Sequence, residues 1–156
     1  MQNKIAVLIK IAALLNENAV TWAVGASCLL YLKGISGTFN DIDFYVIESD
    51  VEKTLSLLKN TEGFQSYNIK YFADGDGFAY EFTIDGVELE FDYRFKDFPM
   101  KKESIAEIIT VNNTKIPLQS LDDWLKYYRL MGRAEKVRLL EKSLSHTNNR
   151  QRLRGL

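Results

Sequence analysis

WAVGASCLLYLKGISGTFNDIDFYV, residues Trp22 to Val46, decides the fold of this 156-residue chain. Its apolar opening, Trp22 to Val24, reads as a short strand, Gly25-Ala26-Ser27 as a tight turn, and Cys28 to Lys33 as a helix that Gly34 ends. A second strand follows, and it carries Asp41 and Asp43 two residues apart. Strand side chains alternate, so both carboxylates leave the same face of a sheet. Like charges held together repel, and they persist where water, a shared proton or a bound cation offsets them. Hard divalent ions such as Mg²⁺ suit an oxygen-rich, partly open site that water and phosphates complete.

Working outward from this stretch, Ile5 to Leu15 has helical spacing, and Asn16-Glu17-Asn18 ends it before a strand at Val20 to Val24. Beyond the acid pair, Ser49 is placed to cap a helix whose apolar face is Val51, Leu55, Leu57 and Leu58, up to Gly63. The pattern then changes to alternation. Gln65 to Phe72, Phe78 to Ile84 and Val87 to Phe95 read as strands, joined by Asp74-Gly75-Asp76-Gly77 and by the hairpin signal Asp85-Gly86. Ile108 to Val111 and Lys115 to Pro117 form another hairpin through Asn112-Asn113. Ser120 caps a helix from Leu121 to Met131 with Asp123 three residues on, and a last helix runs from Ala134 to Ser145. The expected class is α+β (α/β): a mixed β-sheet with helices packed on it and two C-terminal helices.

The strand Val87 to Tyr93 holds a second group of acids. Glu88, Glu90 and Asp92 alternate with apolar neighbours, so three carboxylates share one face. Alone, such a stripe is a solvated surface; beside the Asp41 strand, one of its acids completes a three-carboxylate cage. Composition bounds the remainder. With 46% hydrophobic and 26% charged residues the chain fits one globular domain and no fibrous or disordered class. The lone Cys28 excludes an intramolecular disulfide and a cysteine-based zinc site. The N-terminal apolar run is broken by Lys10 and reads as an amphipathic helix, so neither a signal peptide nor a membrane span is expected, and a cytoplasmic location is. From Arg129 onward the charge is +6, against −7 for the rest, which offers a basic end to phosphates.

Together these residues resemble the nucleotidyltransferase superfamily that includes DNA polymerase β, the lincosamide and aminoglycoside nucleotidyltransferases and small bacterial stand-alone members. The family motif is a hydrophobic residue, Gly, then Gly or Ser, a spacer, Asp-x-Asp or Asp-x-Glu, and a third acid on a later strand. Here it is carried by Gly25, Ser27, Asp41-Ile42-Asp43-Phe44 and an acid between apolar neighbours, with weaker similarity at Ile116 to Leu121 and Met131-Gly132-Arg133. The chain departs from the pattern at Ala26, which stands where the second Gly or Ser is expected, in a slightly long spacer, and at Lys136, where related chains often have Asp.

The resemblance implies a single nucleotidyltransferase-like domain over residues 1–156: a catalytic core to 118, C-terminal helices over 119–147 and a frayed basic tail from 148 to 156. It implies Mg²⁺ held by Asp41, Asp43 and Glu90, with Asp92 the other candidate for third acid. Gly25, Ala26, Ser27, Arg129 and Arg133 are the expected contacts to a nucleoside triphosphate. The implied reaction moves a nucleoside monophosphate to a hydroxyl acceptor, a small molecule, protein or RNA end, with release of pyrophosphate. The alternative is a catalytically weak or inactive relative that binds a nucleotide or a partner, as in a toxin–antitoxin pair; a homodimer is an expectation under either. Two other signals read as ordinary structure: Asp74 to Gly77 as a hairpin turn, and Trp124, Tyr127, Tyr128 and Met131 as a packed stripe at helical spacing.

Overall fold

The computed structural model describes residues 1–154, with side chains as far as residue 146. The chain opens with helix α1 (Gln2–Glu17), then β1 (Trp22–Val24), α2 (Ala26–Leu32), β2 (Ile42–Val46) and α3 (Val51–Lys59). Strands β3 (Phe64–Tyr71), β4 (Phe78–Ile84) and β5 (Val87–Asp92) follow, and a two-strand ribbon of β6 (Arg94–Phe95) and β7 (Phe98–Pro99). The chain closes with β8 (Ile105–Val111), β9 (Thr114–Gln119), α4 (Leu121–Leu130) and α5 (Ala134–Arg154).

Seven strands form one mixed sheet in the order β3-β4-β5-β2-β1-β9-β8. β2 lies at its centre, antiparallel to β1 and parallel to β5, so the strand bearing the Asp pair is hydrogen-bonded on both sides. Hairpin chemistry fixes the outer registers. Asp85-Gly86 and Asn112-Asn113 all have positive φ, which matches the twist of two-residue hairpin turns.

One face of the sheet is apolar. Ile42, Phe44 and Val46 of β2, with Val87, Leu89 and Phe91 of β5, are buried, and Phe44 stacks on Phe91 at 5.2 Å between ring centres. Helix α1 covers this face with Val7, Leu8, Ile11, Ala12 and Leu15, the positions one helical face presents. The other residues of these two strands therefore turn to the opposite face, where α4 closes one end. Its Trp124, Tyr127 and Tyr128 are buried, and Trp124 meets the Tyr45 ring edge-on at 6.0 Å. Met131, expected in the same stripe, is 40% exposed because the helix has ended at Leu130.

Several sequence expectations change here. Ser49 does not cap α3: a 3₁₀ turn spans Glu48–Asp50, Asp50 takes the cap position, and its carboxylate accepts from the Thr21 amide at 2.8 Å instead of from the helix. β5 ends at Asp92 and the chain re-pairs as the β6–β7 ribbon, which the continuous apolar alternation to Phe95 concealed. Helix α5 continues to Arg154, past the expected end at Ser145, because no Gly or Pro interrupts it before Gly155. The final two residues of the expected frayed tail lie outside the described residues. The Ser120 cap stands as expected, its hydroxyl accepting from the Asp123 amide at 3.0 Å.

Candidate active site

The sheet register brings the acids together. In the parallel β2–β5 ladder Asp43 lies opposite Glu90 and Tyr45 opposite Asp92, and Asp41, just before β2, meets Glu88 by the same count. Paired residues in a ladder share a face. Asp41, Asp43 and Glu90 thus stand on the face away from α1, and all three line one cavity of about 680 Å³. Ala26 and Ser27 line it from the turn, Arg94 and Lys96 from the ribbon, and Tyr128, Met131, Arg133 and Lys136 from the C-terminal helices and the bend between them.

The turn and the acids are coupled through the backbone. The Gly25 amide donates to the Asp43 carbonyl at 2.9 Å, which anchors the turn to the strand it serves. Gly25 itself is buried and does not line the cavity. Its φ is −133°, which any residue adopts, but a Cβ there would lie 2.3 Å from Gln119 Oε1 and 2.7 Å from two atoms of the Trp124 ring. Glycine is required so that α4 can dock against the turn. The left-handed residue is the next one: Ala26, φ 53°, a conformation that strains an L side chain.

Burial and like charge set the electrostatics. Asp43 is pushed well above the usual carboxylate range, first by burial, then by Glu90 and Asp41, with Lys70 pulling the other way. Glu90 is raised by burial and pulled down by Lys70, whose ammonium lies 3.5 Å from its Oε2. Glu88 is raised through its contact with Asp41. Asp92 is pushed up to about 6 by burial, against the Tyr93 and Arg94 amides that favour its charge; its Oδ1 accepts from the Tyr93 amide at 2.7 Å. Asp92 faces Tyr45, whose hydroxyl is raised by burial and by that acid. Between the two candidates for third acid, the register puts Glu90 beside Asp43 and Asp92 one pair further along.

The donor set, all carboxylate oxygen, has the chemistry a hard divalent ion requires. Among the described residues, however, no three acidic, His or Cys side chains are gathered closely enough to form a ready-made metal cage. Glu90 is turned toward Lys70 instead. Arg133 lines the cavity, whereas Arg129 does not and pairs with Glu141 at 3.6 Å on the surface. Sequence reading missed Lys70 and Arg94. Lys70 shares a face with the acids only through two registers, Lys70 with Ala79 and Glu81 with Glu90, and neither is visible in a single strand. Arg94 is turned inward by the ribbon, its Nη1 donating to the Lys96 carbonyl at 2.8 Å.

No family model matches the chain, and neither does any curated protein. Solved structures do. A Thermotoga maritima protein provisionally named a nucleotidyltransferase, whose crystal structure is known at 1.87 Å, superposes with a TM-score of 0.70 at 24% identity, over 94% of this chain and 95% of that one. The fold is the nucleotidyltransferase fold. The same nucleotidyltransferase architecture is shared with ANT(2'')-Ia, crystallised with adenylyl-2''-tobramycin, at a TM-score of 0.62 and 15% identity over 91% of this chain and 90% of that one. The solution structure of ANT(2'')-Ia aligns at a TM-score of 0.56 over 92% and 85% of the two chains. No helix among the described residues is long and apolar enough to cross a membrane.

Proposed function

We propose that this protein is a metal-dependent nucleotidyltransferase that moves a nucleoside monophosphate from a nucleoside triphosphate to a hydroxyl of a small-molecule acceptor. The observation that carries the reading is the register of Asp43 with Glu90 on a cavity-lining face that the Ser27 turn also reaches, within a nucleotidyltransferase fold. A small acceptor is favoured by ANT(2'')-Ia, whose complex contains an adenylylated aminoglycoside.

Asp41, Asp43 and Glu90 are the residues that would hold Mg²⁺. Bound there, it would supply the charge neutralisation that a triphosphate and a departing pyrophosphate need. The chain's own groups do the rest. The Ser27 hydroxyl donates to a phosphate oxygen from the anchored turn, and Arg133 and Lys136, which line the same cavity, supply positive charge to the triphosphate. The acceptor oxygen attacks the α-phosphorus as the bond to the β-phosphate oxygen breaks, so pyrophosphate leaves with that electron pair. Glu90, whose proton affinity is raised by burial, receives the acceptor's proton.

A second reading, a relative that binds nucleotide without turning it over, is favoured by the absence of a gathered three-acid cage among the described residues. One set of measurements separates the two. Thermal unfolding is followed with Mg²⁺ and each of the four nucleoside triphosphates, and pyrophosphate release is assayed with a panel of hydroxylated acceptors. Stabilisation by one metal–nucleotide pair together with pyrophosphate release that Asp43→Asn abolishes supports the enzyme. Stabilisation without release under any acceptor supports the binding reading, and no stabilisation by any pair overturns both.

A further inference from the structure

Lys70 belongs to β3, the outer strand of the sheet, yet its ammonium reaches the third acid two strands inward. Neighbouring strands lie about 4.8 Å apart, so roughly 10 Å separates the β3 and β5 backbones, a gap that the Lys70 and Glu90 side chains close from its two sides. Its route is open because its partner on β4 is Ala79, a side chain too short to block it. At the far end, the Lys70 Nζ lies 3.5 Å from Glu90 Oε2, with the Lys70 side chain 48% exposed and that of Glu90 17%. Lys10 pairs with Asp85 at 3.0 Å and Lys33 with Glu107 away from the cavity, and Lys96 pairs with Asp74 and Asp76, which line it; among the described residues Lys70 is the cation paired with one of the acids Asp41, Asp43 and Glu90.

A cation in that position has a consequence for any other cation. Glu90 presents its carboxylate to Lys70, and among the described residues the acids are not gathered around a common point. Resting on the proposed nucleotidyl-transfer reading, we infer that Lys70 is a built-in counter-ion that occupies Glu90 until a divalent ion displaces it, and so sets a threshold for metal entry. The lysine keeps the acids from repelling one another in the metal-free protein, and its displacement frees Glu90 to join Asp41 and Asp43. Lys70 is a positioning residue: it acts on the site through Glu90. An ordinary solvated cross-strand pair would stabilise the sheet slightly and leave metal affinity unchanged.

The test is Mn²⁺ affinity of the full chain at pH 8 without nucleotide, read from the electron paramagnetic resonance signal of the free ion. Lys70→Met keeps the apolar stem and removes the charge. It tightens Mn²⁺ binding about three- to tenfold, the size of one partly screened charge interaction. Lys70→Arg restores the wild-type affinity, and Lys10→Met, which removes the same charge from the Asp85 pair, leaves it unchanged. A circular dichroism spectrum confirms that each variant is folded. If wild type and Lys70→Met bind Mn²⁺ equally, or if Lys10→Met tightens binding as much, the counter-ion role is refuted while the metal site stands. If neither wild type nor Lys70→Met binds Mn²⁺ without nucleotide, the counter-ion role is refuted, while the metal-dependent reading is still decided by the metal–nucleotide measurements.

Discussion

Replacing Asp92 by Asn separates a buried acid that costs stability from Glu90, the acid proposed to serve the chemistry. Asp92 is 8% exposed, and burial lifts its carboxyl from the ordinary 3.8 to about 6. The folded state therefore binds this proton more tightly than the unfolded state does. The stability it contributes is complete below pH 3.8 and is lost as pH rises through 6. At about 1.4 kcal/mol per pKa unit, the charged form costs the fold about 3 kcal/mol at pH 8. Asn keeps an oxygen to accept from the Tyr93 amide, so the hydrogen bond that now lies at 2.7 Å survives the change. Urea unfolding of Asp92→Asn gives a gain of about 2–3 kcal/mol at pH 8 that shrinks to near zero at pH 3.5, with the gap opening between pH 4 and 6. Turnover of the variant stays within a few-fold of wild type, whereas Glu90→Gln, opposite Asp43, abolishes it. A pH-independent difference would refute the burial argument, and activity lost in Asp92→Asn but kept in Glu90→Gln would refute the choice of third acid.

Three further perturbations probe the turn and the basic wall. Gly25→Ala forces a methyl into Gln119 and Trp124 and disturbs their 2.8 Å hydrogen bond, which lowers stability by about 2–4 kcal/mol in chemical denaturation. Ala26→Gly relieves the left-handed strain and raises stability by about 1 kcal/mol by the same measurement, because the gain in the folded turn exceeds the added freedom of the unfolded chain. Arg133→Ala weakens nucleoside triphosphate binding about tenfold in calorimetry, while Arg129→Ala, which only breaks the surface pair with Glu141, changes it by less than twofold.

Much of the architecture was legible because its signals are local. Alternation around Asp41 and Asp43 placed both carboxylates on one face, and Asp85-Gly86 and Asn112-Asn113 announced hairpins whose positive φ angles the structure contains. Ser120 and Asp123 marked the start of α4 for the same reason: a cap needs only neighbours in sequence. What was not legible depends on partners far along the chain. Gly25 reads as a phosphate-approaching glycine, but its missing side chain makes room for Gln119 and Trp124, nearly a hundred residues later. Glu90 and Asp92 both sit between apolar neighbours in sequence, and the observation that distinguishes them is the parallel register with β2. Lys70 was invisible as part of the site, since a lysine in an exposed strand has no local mark of reaching across two neighbours. Arg129 carries a charge that suits a phosphate, and in the structure it pairs with Glu141 and does not line the cavity.

Under the proposed function, Asp41, Asp43 and Glu90 close on one divalent ion when nucleotide is present. A crystal grown with Mn²⁺ and a non-hydrolysable triphosphate, with data collected for the anomalous signal of manganese, tests it directly. The expected result is a manganese peak bonded to oxygens of these three carboxylates, with the triphosphate running past Ser27 toward Arg133. A peak bound elsewhere, for example at Asp74 and Asp76, or a triphosphate bound with no manganese at Asp43, would contradict it.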